Sequence, residues 1–397
     1  MDGELIGING RISLEKRGRV NSGVGYAISI NQIKNFMGHL RAGLDTDHAT
    51  LGAFIESKAE EGQATMLVTR LLENCDAHRR GLDLNDELVS FAGRPVRNRN
   101  HYQNVLGLFP KGWRVPLVYR RDNDKHEILV RLMGLQQQEI EDGKPKPLQP
   151  PASPKKGPLP DTPAAKFYEA KPSFANFYFN KQERDRLWSS FRKLGDFSTL
   201  TGTWTIDAEL ERNQKKGPAR IVITEEKGSQ STKATAQLSL EGLDYKIEPL
   251  KAGQESRDLQ VPPGSGGLVL ALYQYRRLLT LGDKGFEGQF SHGGSEPLYP
   301  PRADAPPPKS LADLRVDTEV LNTEHAAIPA KWYFSPQDQS LLGFEVWVAH
   351  EEDPCEVYLS DYRKIDGRLL PHRIDVHYGN GRFGTLRVNA YQLTGVK

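Results

Sequence analysis

Apolar residues in this chain follow one period near its start and another through its second half. Ile33, Phe36, Met37 and Leu40 recur at three- and four-residue spacing, which predicts an amphipathic helix over residues 30–41. Two β-prone runs precede it, residues 4–12 and 23–29, with a polar loop at 13–22. Two strands and a helix in about forty-five residues cannot enclose a core of their own. Beyond Gly195 the period is two: residues 203–210, 219–224, 234–240 and 243–247 alternate. Further strands are predicted at 285–291, 313–321, 330–335, 341–347, 355–365, 370–378 and 383–393. Helical spacing returns only at 174–188 and 266–281. An antiparallel meander of this length has to curl, into a barrel or a sandwich.

Composition divides the chain further. Residues 137–166 include GKPKPLQPPASPKKGPLPDTPAAK, dense in Pro, Lys and Gly, which predicts an extended linker. The expected domains are thus 1–45, 46–136, the linker 137–166, and a β domain at 167–397; the Pro-rich stretch 297–308 reads as a surface loop. At 397 residues and 37% hydrophobic the chain is globular and multidomain, and its 53 basic against 51 acidic residues give no reason to expect nucleic acid as a partner. Two cysteines, Cys75 and Cys355, make no disulfide framework. No run reaches the length of a membrane span, and the first residues lack a signal-peptide layout.

GELIGINGRI, a loop, and then GVGYAISINQIKNFMGHLRAG resemble the final two strands and C-terminal helix of the trypsin-like domain of HtrA-type serine proteases. In that family a GNSGGP nucleophile motif comes immediately before, with the His and Asp of the triad further upstream. The resemblance therefore assigns no catalytic residue to this chain. Residues 47–135 resemble the circularly permuted PDZ domain that follows such proteases. Leu51-Gly52-Ala53-Phe54 matches the loop and strand that receive a peptide's terminal carboxylate. Residues 65–74 match the next strand, and Cys75 to Leu82 match a short helix ending in Gly81. The family's Pro-Gly-Asp turn is replaced by Leu84-Asn85-Asp86, residues 98–108 match the groove helix, and 114–132 the closing hairpin.

The residues support a physical reading of that segment. Gly52 between apolar neighbours allows a tight turn with amides free to converge on an anion. The strand starting at Phe54 would offer an open edge to an added strand, and Tyr102 and Val105, three apart on the helix, an apolar pocket for the last side chain. The implied partners are peptide or protein C-termini.

Within the last sixty or so residues, KWYFSPQDQSLL and then DYRKIDGRLLP resemble the half-barrel of LolA/LolB-like lipoprotein carriers, in which a sheet and helix enclose acyl chains. That resemblance implies a lipid or lipoprotein partner and an apolar hollow lined by Trp204, Ile206, Trp332, Phe334, Phe344 and Val346, with the 268–281 helix as its lid. The fold class expected is mainly β and multidomain: a remnant of a trypsin-like barrel, a PDZ domain, and an antiparallel half-barrel with a helix.

No cofactor is expected, and no metal. The ten histidines form no HExxH or helical cluster; His372 and His377, five apart on one strand, face opposite sides and read as surface or hairpin-end residues. The acidic turn His350-Glu351-Glu352-Asp353 reads as a solvated loop, and Arg79-Arg80 and Arg276-Arg277 as wet helix faces. The sequence thus points to a peptide-binding protein derived from an HtrA-like protease. The alternatives are a fragment of an active serine endopeptidase, and a lipid or lipoprotein carrier. The compartment is not legible; a truncated HtrA-like protein would belong to the periplasm or cell envelope.

Overall fold

The computed structural model describes residues 4–14, 21–60, 63–134, 140–141, 144–145, 162–227, 232–240, 242–248, 256–302, 306, 308–349 and 352–395. Most of the linker 137–166 lies outside them, as do His350 and Glu351 of the acidic turn. Contacts divide the chain into two units, Met1–Phe179 with Ser310–Ala312, and Asn180–Lys309 with Asp313–Lys397.

In the first unit, strands Gly7–Leu14 and Asn21–Ser29 pair antiparallel and lead into helix Ile30–Arg41. The Ser29 hydroxyl caps that helix by accepting the Gln32 N–H at 3.3 Å. No residue of the helix is buried, and Leu5, Ile6, Ile8 and Ile28 are exposed, so this segment encloses no core of its own. It is attached instead by polar and ring contacts. Asn35 Nδ2 donates to the Leu108 carbonyl at 2.8 Å, Phe36 meets the His48 ring edge-on, and His39 lies against Trp113.

The rest of this unit is built on a sheet whose strands run in the order Ala53–Glu60, Gln63–Leu71, Glu87–Phe91, Arg114–Arg121, Asp124–Arg131, with the short Arg94–Pro95 pairing beside Glu87–Phe91. Alternation buries Ile55, Met66, Val68, Leu88, Phe91, Val115 and Leu117 on one face, where helix Arg99–Leu106 packs. The turn before Glu87 is held by a buried carboxylate. Asp86 accepts the Asp83 N–H at 2.7 Å and pairs with Arg121 at 2.7 Å, and that partner holds the guanidinium above its ordinary value.

The second unit is one open antiparallel sheet of eleven strands. From one edge to the other they are Leu243–Ile247, Thr232–Leu240, Lys215–Lys227, Trp204–Arg212, Gly381–Leu393, Arg368–Tyr378, Cys355–Ile365, Leu341–Val346, Ile328–Phe334, Val316–His325 and Gln289–Leu298. The two edge strands do not pair, so neither a closed barrel nor a sandwich forms. Helix Leu268–Leu281 packs against Leu243–Ile247 and Thr232–Leu240 at one edge and against Cys355–Ile365 and Leu341–Val346 further along the sheet, and every residue in it except Arg277 and Leu281 is buried. It occupies the space that a closing sheet would take.

That helix fills the apolar face. Tyr275 stacks on Phe344 at 5.5 Å, and Phe344 stacks on Trp332 at 4.8 Å. The Trp332 indole N–H donates to Thr323 Oγ1 at 2.8 Å. Trp204, Ile206, Trp332, Phe334, Phe344 and Val346 all lie in this core, each no more than 2% exposed. Where Phe191, Phe197, Tyr275, Leu279, Leu341 and Tyr362 come together, a cavity of about 20 Å³ remains, room for a single water.

One arginine of each pair departs from the wet face its charge suggests, while Arg79 is exposed and Arg277 half-buried. Arg276 is fully buried and donates to the carbonyls of Thr201 and Gly202 at 2.7 and 2.6 Å, over the ring of Trp204. Arg80 is 4% exposed, 3.5 Å from Asp76. Arg276 is tolerated inside because carbonyls from a distant part of the chain meet it, and Arg80 because a carboxylate one helical turn before it does. His372 is likewise buried, not superficial: it is 7% exposed, with Nδ1 3.1 Å from the Leu370 carbonyl and its ring edge-on to Tyr391.

Candidate peptide-binding groove

The sequence Thr50-Leu51-Gly52-Ala53-Phe54 changes character at each step, and the turn follows from that. Leu51 is 1% exposed and anchors the loop in the core. Gly52 has φ +78°, a conformation that costs a residue with a Cβ about 1–2 kcal/mol. It is confined sterically as well: a Cβ there would lie 2.4 Å from that of Cys75 and 3.1 Å from Met133 Sδ. Its carbonyl accepts the Leu72 N–H at 2.9 Å, and its own N–H donates to Thr50 Oγ1 at 3.2 Å. The loop is therefore fixed to the end of the neighbouring strand before Ala53 enters the sheet.

From Ala53 the chain forms strand Ala53–Glu60, which pairs on one side only, with Gln63–Leu71. Its other edge has no strand partner among the described residues, and helix Arg99–Leu106 packs near it. Asn98 starts that helix by accepting the His101 N–H at 2.8 Å. Ile55 points into the core, while Phe54, Glu56 and Lys58 point away from it and are exposed.

Tyr102 and Val105 lie on the helix face turned to the core, 4% and 2% exposed. Tyr102 meets Phe91 edge-on at 5.5 Å, and its hydroxyl has no hydrogen-bond partner among the described residues. Burial pushes that phenol well above its ordinary value. Both side chains belong to the buried core of this unit. Cys75, behind the glycine, accepts the His78 N–H through Sγ at 3.4 Å, and burial pushes its thiol up. Sequence reasoning missed Arg70: its guanidinium carbon stands 4.0 Å over the Phe54 ring, and only the strand pairing, Phe54 opposite Arg70, could have found it.

Among its described residues the larger unit holds one group with ligand-like geometry. Glu183 on helix Phe177–Arg192, His292 and Glu319 each bring one atom within 4.8 Å of the others. No spacing rule could have joined residues so far apart in the chain. The chemistry favours a charge clasp over a metal centre. Arg186 spans both carboxylates, with Nε 2.9 Å from Glu183 Oε2 and a second nitrogen on Glu319. His292 Nδ1 accepts the Gly294 N–H at 3.0 Å, which leaves the proton of a neutral imidazole on Nε2, so that side of the ring is a donor. Asn180 completes the clasp by bonding both the N–H and the carbonyl of His292.

Sequence similarity to curated proteins covers about a third of the chain. The periplasmic serine endoprotease DegP of Escherichia coli (strain K12) is 26% identical over 149 residues, 36% of this chain and 31% of that protein. A probable DegP-like endoprotease of Pseudomonas savastanoi pv. phaseolicola is 27% identical over 143 residues, 34% of this chain and 29% of that one. About a third of this chain is homologous to the HtrA-type proteases. The HtrA-like match spans about a third of the length of those relatives as well. No family model matches the chain.

Among solved structures, the HtrA-type protease AlgW with decapeptide is 20% identical over 34% of this chain and 43% of its own, with TM-score 0.26. A DUF1329 family protein from Desulfovibrio piger covers 53% of this chain and 92% of its own, at 11% identity and TM-score 0.31. A putative outer membrane lipoprotein-sorting protein domain from Vibrio parahaemolyticus covers 55% and 92%, at 14% identity and TM-score 0.29. No helix of the described residues is long and apolar enough to cross a membrane.

Proposed function

We propose that this chain binds the C-terminal ends of extended peptides or proteins by strand addition. The peptide pairs with the free edge of Ala53–Glu60, its last carboxylate at the turn Leu51-Gly52-Ala53-Phe54 and its last side chain toward the helix that carries Tyr102 and Val105. The observation that supports this most is the single-sided pairing of Ala53–Glu60 directly after a glycine at φ +78°. An unpaired row of N–H and C=O groups supplies affinity through main-chain bonds, and a pinned turn sets where the peptide ends. The HtrA-like homology supports the same reading. In this role the chain acts by holding a partner, and bond cleavage is not assigned to any of its residues. The lipid-carrier alternative has little room in this conformation, since the apolar face of the larger unit is filled by its own helix.

The test compares one apolar-ended peptide with a free C-terminus and its C-terminal amide by calorimetry on the full chain. The acid form is expected to bind in the micromolar range, about −8 kcal/mol, and the amide more weakly. Equal affinity of the two forms removes the carboxylate from the mechanism.

A further inference from the structure

We infer that the groove selects acidic peptides: an Asp or Glu side chain is favoured at the position falling opposite Phe54, and disfavoured two residues further along, opposite Glu56. This rests on the strand-addition reading above and adds the chemistry of the partner to it.

A segment pairing with the free edge of Ala53–Glu60 places its side chains in rows with those already present across the sheet. One such row exists in full. Phe54 is paired with Arg70 on the neighbouring strand, and both are on the face away from buried Ile55. The next member of that row is the incoming residue.

Arg70 starts one strand too far away for a direct cross-strand contact with the peptide. Its guanidinium carbon, however, stands 4.0 Å over the Phe54 ring, which is 49% exposed. The arginine thus lies over the intervening residue, and its charge is carried toward the free edge on an aromatic face. Among the described residues no carboxylate forms an ion pair with it. A cation held by a ring, beside an edge that can accept a strand, is complementary to a carboxylate side chain in that strand.

Glu56 and Lys58 continue the same exposed face at two-residue intervals. Glu56 therefore opposes a second acid directly after the first, so the groove reads a single well-placed negative charge, not acidity in general. Because the row lies on the water side, the effect is modest, and added salt weakens it.

The experiment uses short fluorescent peptides that share a free carboxyl end and last residue, with Asp, Asn or Lys placed in turn at each preceding position, titrated with the full chain. One position is expected at which Asp binds about two- to fivefold tighter than Asn, with Lys weakest, and high salt removes the difference. Arg70→Gln abolishes that preference and Arg70→Glu reverses it, while an uncharged peptide binds both variants as it binds the parent. Arg70 is exposed, so neither change strains the core. Measurable binding with equal Asp and Asn affinities at every position overturns the inference and leaves strand addition standing, as does an Asp preference that survives Arg70→Gln. No binding by any acid-ended peptide overturns both.

Discussion

Gly52 and Cys75 pack so closely that a Cβ on the glycine would fall 2.4 Å from the Cβ of the cysteine. The peptide-end turn and the start of the short helix Asp76–Arg79 are therefore one packed joint, and the turn cannot change without moving the helix.

Gly52→Ala is accordingly expected to cost at least about 2 kcal/mol, from strain at positive φ together with overpacking. Gly242→Ala is the control: its φ of +81° is equally unsuited to a side chain, but nothing lies within 4 Å of the added methyl. Urea denaturation of the two variants separates backbone strain from collision. Similar losses in both would mean that the contact with Cys75 adds nothing.

Gln274 offers the opposite case. It is fully exposed to the core and not to water, at 0% accessibility on helix Leu268–Leu281, and neither of its amide atoms has a hydrogen-bond partner among the described residues. Replacing it by the similarly sized Met removes an unsatisfied group without leaving a hole, so Gln274→Met should raise stability by about 1–3 kcal/mol. A lower urea midpoint in the variant would count against this.

Glu287 ties acid stability to an exposed ion pair. Burial works to raise its carboxyl, but the hydrogen bonds from His325 and the Ala326 N–H outweigh that and hold it at about 2. A folded value below the unfolded one, about 4.3, means that ionised Glu287 contributes stability at neutral pH. The contribution is lost as pH falls from about 4.3 toward about 2. With 61% of the Glu287 side chain exposed, the effect is small. Glu287→Gln should flatten the stability–pH curve in that window, as measured by urea midpoints; an identical acid limb would refute the assignment.

Local features were legible in the sequence, and non-local ones were not. Helix Ile30–Arg41 and strands Leu243–Ile247 and Cys355–Ile365 stand where period and punctuation place them. The loop at Gly52 was marked by a glycine between apolar neighbours. The pairing of Trp204–Arg212 with Gly381–Leu393 has no local signature, and neither does the burial of Arg276, whose acceptors at Thr201 and Gly202 lie 75 and 74 residues away. Hydropathy reads an arginine as wet because it counts the charge and not the acceptors. Arg70 was hidden for a related reason: its importance comes from the residue across the strand, not from its neighbours in sequence.

The position of Gly381–Leu393 in the middle of the eleven-stranded sheet sets an order of events. This strand joins Trp204–Arg212 on one side to Arg368–Tyr378 on the other, so the two halves of the sheet have no strand-to-strand link until it is made. On the ribosome, the half ending at Trp204–Arg212, complete once Leu243–Ile247 is made, has to wait with an open hydrogen-bonding edge until Gly381–Leu393 emerges. Such late closure is slow and exposes the nascent domain to wrong partners. Deleting Gly381–Leu393 would leave two half-sheets in place of a smaller version of the same fold.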